Sequence, residues 1–119
     1  MKYLVLLIGD GDEPDWSTLN EEEQAATMQK FADFDAACAA RDGVEILAGE
    51  ALRTDGVTTV RPRAGRREVT EGPFAEVIEG LGGFFLMATP DLDTLLELLT
   101  VLPAYDIQLS PVDDMMDAG

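Results

Sequence analysis

"GFFLMAT", residues 83–89, decides the fold. Successive side chains of a strand point to opposite sides. Extended, this stretch therefore puts Phe84, Leu86 and Ala88 on one face and Phe85, Met87 and Thr89 on the other. Both faces are largely apolar, whereas a strand with one face in water alternates apolar and polar residues. One other stretch, "KYLVLLI" at residues 2–8, has the same property, with Lys2, Leu4, Leu6 and Ile8 against Tyr3, Val5 and Leu7. Two strands of this kind belong at the centre of a sheet, covered on both sides.

The segments around them supply the rest of the sheet and its cover. Residues 9–20 form a loop with Gly9, Gly11 and Pro14. Asn20 then has the chemistry of a helix N-cap, and Glu23 three residues later completes a capping box. Glu21, Glu22 and Glu23 lie at the positive end of the helix dipole. Ala25, Met28, Phe31, Ala32 and Cys38 mark the apolar face of this helix, and Gly43 stops it. Residues 44–52 read as a strand with Val44, Ile46, Ala48 and Glu50 on one face. Residues 57–63 and 66–70 read as a hairpin about Ala64-Gly65. With that two-residue turn Arg61 stands opposite Glu68, and Arg63 opposite Arg66. Asp91 caps a second helix with the stripe Leu92, Leu95, Leu96, Leu99 and Leu102, ended by Pro103. Residues 105–112 alternate as a last strand.

With the hairpin set aside, the order is strand, helix, strand, strand, helix, strand. This is the α+β, ferredoxin-like βαββαβ arrangement with an inserted β-hairpin. Its first and third core strands are central, and both helices cover one face of the sheet. The other face, with its Leu and Phe rows, has no cover within one chain. Soluble monomers rarely expose so large an apolar patch, so a homodimer with facing sheets is expected. Residues 1–112 form a single domain, and 113–119 form an acidic tail.

The chain has 119 residues, 24 acids, 8 Lys and Arg, no histidine and a net charge of −16. Nucleic-acid backbones and anionic membranes are repelled by such a surface, so no direct nucleic-acid or membrane partner is expected. No apolar run approaches the ~20 residues of a membrane span. The single Cys38 fits a reducing compartment, and a cytoplasmic location is expected. The basic residues are unevenly placed: Arg53, Arg61, Arg63, Arg66 and Arg67 lie close together, and none follows Arg67.

"MKYLVLLI" at 1–8, "GEAL" at 49–52, "EGPFAE" at 71–76 and "LGGFFL" at 81–86 together resemble the DGPF-domain subgroup of the YCII-related proteins. The likeness runs over nearly the whole chain. It implies a dimeric α+β barrel of ferredoxin-like subunits. It implies little about activity: most members are uncharacterised bacterial proteins, many encoded near extracytoplasmic-function sigma factors. Some relatives in the wider superfamily are lactone isomerases or dehydrochlorinases. Here Glu71 stands for the subgroup's aspartate, and a lysine common after "FAE" is missing around Val77 and Ile78. The His–Asp pair associated with the wider group cannot be present in a chain without histidine.

That same lack removes the commonest general base near neutral pH, the usual nucleophile–histidine arrangements and Cys/His zinc sites. No metal site or cofactor is implied. The acids of 10–15 lack the EF-hand pattern, and no phosphate-binding glycine motif occurs. Cys38 reads as a small core residue. Carboxylates, arginines and aromatics remain. Glu50, beside Ile46 and Ala48, is a candidate cleft carboxylate, either general base or ligand holder; the alternative is an acid in solvent or in a structural ion pair. In 70–90, Gly72 and Pro73 make a tight turn, and Phe74 anchors it. Gly82 and Gly83 allow backbone or ligand to come close at the start of a central strand. Glu71 and Glu76 are the polar groups of that rim, which either lines a small-molecule pocket or only closes the barrel. The arginine hairpin either stands in water or docks on an acidic surface. Three functions are compatible with these residues: a homodimer binding a small organic ligand, an enzyme using Glu50 or Glu71 as proton shuttle, and an accessory partner of a sigma factor.

Overall fold

The computed structural model describes residues 1–8, 16–53, 56–72 and 81–113. Its core is a four-stranded sheet of β1 (Lys2–Ile8), β2 (Glu45–Ala51), β5 (Leu81–Ala88) and β6 (Asp106–Pro111), in the order β2-β5-β1-β6. Every neighbouring pair is antiparallel. Helices α1 (Glu21–Ala39) and α2 (Leu92–Leu99) follow β1 and β5, and the hairpin of β3 (Thr58–Arg63) and β4 (Arg66–Glu71) forms a second sheet. This is the ferredoxin-like α+β arrangement, with the two strands that are apolar on both faces at the centre.

Register divides the sheet into two faces. Tyr3 pairs with Met87, Val5 with Phe85 and Leu7 with Gly83. These residues face the helices, where Phe34 and Cys38 of α1 and Leu95, Leu98 and Leu99 of α2 join them in one core. Val5, Phe34, Met87 and Leu95 are fully buried. Full burial of a side chain of this kind contributes about 1.5–3 kcal/mol, so this layer holds helices and sheet together. The opposite face carries Leu4 against Leu86 and Leu6 against Phe84. None of these four is fully buried, and neither helix lies on their side.

The helix starts follow the sequence closely. The Glu23 amide donates to Asn20 Oδ1 at 2.8 Å, and the Asn20 amide donates to Glu23 Oε1 at 3.1 Å. At α2 the Thr94 amide donates to Asp91 Oδ1 at 2.7 Å, which holds that carboxyl below the usual carboxylate range. The helix ends differ from expectation. α1 stops at Ala39, capped by Ala40 in right-handed geometry. Gly43 instead supplies a φ of 78° to the turn before β2. α2 stops at Leu99, and single-turn hydrogen bonds from the Val101 and Leu102 amides carry the chain onward while Leu102 stays buried.

Two further expectations need correction. The buried stripe of α1 includes Phe34 and Cys38, with Phe31 half-buried, while Met28 is 57% exposed and Ala25 and Ala32 are exposed. The residues 31, 34 and 38 follow the spacing of one helical face. In β2, Ile46 pairs with Met87 and Ala48 with Leu86, so Leu47 is an extra residue, a β-bulge. The bulge reverses the alternation. Ile46 faces the helices, but Ala48 and Glu50 do not share its face: Glu50 pairs with Phe84 on the opposite side.

The hairpin has the expected register, with Arg61 opposite Glu68 and Arg63 opposite Arg66. Ala64 and Gly65 have φ of 48° and 81°, the two positive values of the type I′ turn that suits strand twist. Arg63 leans diagonally toward Glu68, Nε to Oε2 at 3.8 Å. No hairpin residue is buried, and Val60 and Val69, cross-strand partners, are 44% and 65% exposed. The Cα radius of gyration is 16.7 Å, against about 13 Å for a compact chain of ~100 residues.

Candidate functional site

A cleft of about 570 Å³ opens between α1 and the helix-side face of the sheet. It lies where β1 and β2 end, β5 begins and the chain enters β6. Its size is within the ~300–1,000 Å³ of small-molecule sites. Thr27, Met28 and Phe31 of α1 form one wall. Tyr105, immediately before β6, meets Phe31 with ring centroids 6.3 Å apart. Phe85 rises from the sheet and packs on buried Phe34 at 5.2 Å. Trp16, in a single 3₁₀ turn over Trp16–Thr18, also lines the cleft. The Gln24 side-chain amide donates to the Trp16 carbonyl at 3.0 Å and ties that turn to α1.

Glycines make the floor. Gly49, Gly82 and Gly83 all line the cleft. A Cβ on Gly49 would come 2.6 Å from Cδ1 of Phe85, and one on Gly83 would come 3.0 Å from the Glu50 carbonyl oxygen. Both distances are below ordinary carbon contact, so glycine at these two positions lets the aromatic ring and the neighbouring backbone lie close. The lining is therefore aromatic side chains over bare backbone, with few polar groups. Such a surface binds by stacking and apolar burial.

The model of the YCII-related domain matches residues 1–110. The chain belongs to the YCII-related family. A search of the curated proteins returned no match.

This YCII-related chain brings together only part of what its sequence suggests. Gly83 is buried at the cleft floor, between Leu7 of β1 and Ala51 of β2. Glu50 borders the cleft and is exposed, with its register toward the opposite face. Glu71 is exposed at the end of β4, opposite Thr58, and is not among the described lining residues. Phe74 and Glu76 lie outside the described residues. Sequence reasoning missed Trp16, Thr27 and Tyr105 as lining residues. The available signal was the run of glycines before aromatics in Gly82-Gly83-Phe84-Phe85, whereas Gly49 comes beside Phe85 only once the strands are aligned.

Two further features of this YCII-related domain lie away from the cleft, Cys38 in the core and the Arg41–Glu97 pair. Burial, then the nearby Asp35 carboxylate, pushes the Cys38 thiol up to about 11, as suits an unreactive core residue. Arg41 and Glu97 form an exposed ion pair at 2.8 Å between the end of α1 and α2. Among the described residues no group of three His, Cys, Asp or Glu is placed to hold a metal ion, and no helix is long and apolar enough to cross a membrane.

Proposed function

We propose that this protein is a homodimer that binds a small organic ligand, one in the cleft of each subunit. The observation that carries the ligand is the cleft itself, with aromatic walls, a glycine floor and about 570 Å³ of space. The dimer rests on the other face of the sheet. Leu4, Leu6, Phe84 and Leu86 form a contiguous apolar surface there, under no helix, and such a surface calls for a partner. Sheet-to-sheet contact of two copies makes the dimeric α+β barrel. Within the family the chain fits the DGPF subgroup, with Glu71 in the position of that motif's aspartate.

A binding role is favoured over proton-transfer chemistry. An acid–base enzyme of the lactone-isomerase or dehydrochlorinase kind needs two polar groups converging on one pocket. Among the described residues, Glu50 is the one carboxylate at the cleft, and its register points it away. The experiment is a thermal-shift screen of a small-molecule library on the wild type and on Thr27→Phe. This substitution fills the cleft from the helix wall with little change of helix propensity. Hits that disappear in Thr27→Phe support the reading. A library without hits, or hits indifferent to the substitution, contradicts it.

The hairpin favours a second reading, docking on an acidic protein surface, and a sigma factor enters as that partner only through the family resemblance. Arg61, Arg63, Arg66 and Arg67 give it local positive charge in a chain of −16. A salt-sensitive pull-down that Arg66→Glu abolishes supports this reading, and a clean negative removes it.

A further inference from the structure

The lining of the cleft restricts its ligand by charge as well as by shape. The chain has eight Lys and Arg residues, all among the described residues, and none lines the cleft. An anion seated there would have no cationic partner, and desolvating an unpaired charge is costly. The nearest helix end gives no help. The first turn of α1 carries Glu21, Glu22 and Glu23, and its capping box already occupies the Glu23 amide. The chain's −16 adds long-range repulsion.

Shape comes from the floor and walls. Gly49, Gly82 and Gly83 leave a strip of the sheet without side chains at one end of the cleft. Phe31, Phe85 and Tyr105 stand around it. A flat ring can lie on bare backbone and meet these aromatic side chains at stacking or edge-to-face distance, which adds about 0.5–1.5 kcal/mol per ring pair beyond burial. A bulky aliphatic skeleton gains less from the same surface.

We propose that the cleft takes a planar aromatic molecule that bears no negative charge. The inference rests on the cleft being a ligand site, and it adds the class of ligand. Two fluorescent probes with one skeleton test it: neutral N-phenyl-1-naphthylamine and its sulfonated counterpart, 8-anilinonaphthalene-1-sulfonate. They are titrated into the wild type and into Thr27→Lys, which places a cation on the cleft wall without changing the sheet. The wild type is expected to bind the neutral probe at least tenfold more tightly than the anion, about 1.4 kcal/mol. Thr27→Lys is expected to reduce that ratio at least tenfold, with an unchanged circular dichroism spectrum. The neutral probe is the more hydrophobic of the two, so the change in the ratio, which cancels that bias, is the decisive reading. A ratio that stays the same in Thr27→Lys, while both probes bind saturably, overturns the charge selection and leaves the cleft reading standing. Absence of saturable binding by either probe overturns the cleft reading itself. If Thr27→Lys misfolds, Met28→Lys serves in its place, since Met28 lines the same wall and is already 57% exposed.

Discussion

Gly49→Ala tests the packing that forms the cleft. In a strand interior alanine is ordinarily better than glycine by roughly 0.5–1 kcal/mol, because glycine loses more backbone freedom on folding. Here the new methyl would sit 2.6 Å from Cδ1 and 3.0 Å from Cε1 of Phe85, and 3.3 Å from the Phe84 carbonyl oxygen. Ordinary carbon contact is ~3.5–4.0 Å, so the ring must move by roughly 1 Å. It cannot retreat into the core, because Phe34 is packed on it at 5.2 Å and is itself fully buried. The remaining direction is into the cleft. Overpacking of this kind costs about 1–3 kcal/mol, enough to outweigh the backbone gain. A net loss of about 1–2 kcal/mol is expected, or roughly 4–8 °C in Tm for a domain of this size. The assay is urea unfolding followed by circular dichroism at one fixed protein concentration, since assembly shifts apparent stability. The same substitution in a Phe85→Leu background should be neutral or slightly stabilising, giving a coupling of at least ~1 kcal/mol. A Gly49→Ala protein as stable as the wild type, or an equal loss in both backgrounds, refutes the reasoning.

Four other outcomes follow from the same structure. Leu86→Glu places a charge in the uncovered apolar face and should convert a dimer to a monomer in light scattering at micromolar concentration; a wild-type monomer contradicts the proposed assembly. The Cys38 thiol, raised to about 11 in the fold, stays neutral while an unfolded thiol ionises near its ordinary value of 9.0. Stability should therefore be unaffected below that pH and fall between roughly pH 9 and 11, by at most about 2–3 kcal/mol, a fall that urea midpoints of Cys38→Ala should lack. Asp91 has a lowered folded pKa because the Thr94 amide donates to it, so its contribution is present above the unfolded carboxyl pKa of ~3.9 and is lost as pH falls through the folded value. The difference in midpoint between wild type and Asp91→Ala should be present at pH 7 and shrink in acid. Ala64 occupies a left-handed position at φ 48°, so Ala64→Asn should slow amide exchange at Arg61 and Glu68, which face each other across the hairpin in a hydrogen-bonded register pair, by favouring the turn.

What was legible in the sequence was what depends on local pattern. The two apolar faces of 2–8 and 83–89 placed these strands at the centre of the sheet, because burial on both sides leaves no other position for them. Asn20, Glu23 and Asp91 announced the helix starts through side-chain chemistry that acts within three residues. The Ala64-Gly65 turn set the hairpin register. The bulge at Leu47 was not legible: one extra residue changes no periodicity strongly, yet it turned Glu50 away from Ile46. Phe34 escapes the sequence reading because the stripe Ala25, Met28, Phe31, Ala32 and Cys38 passes through Ala32, which is exposed, in place of Phe34, which is buried. The cleft was hidden for a different reason. Its walls come from Trp16, Thr27, Phe31, Phe85 and Tyr105, which only the antiparallel pairing of β1, β5 and β2 and the packing of α1 bring together.

Trp16 makes the most direct measurement available, since it is the chain's one tryptophan and it lines the cleft while 45% exposed. Its emission can be followed while N-phenyl-1-naphthylamine is added. A ligand in the cleft should quench Trp16 saturably, with energy transfer to the probe and one probe bound per chain, and Thr27→Phe should abolish the effect. Probe fluorescence that rises while Trp16 emission stays unchanged would place the binding elsewhere and contradict the account.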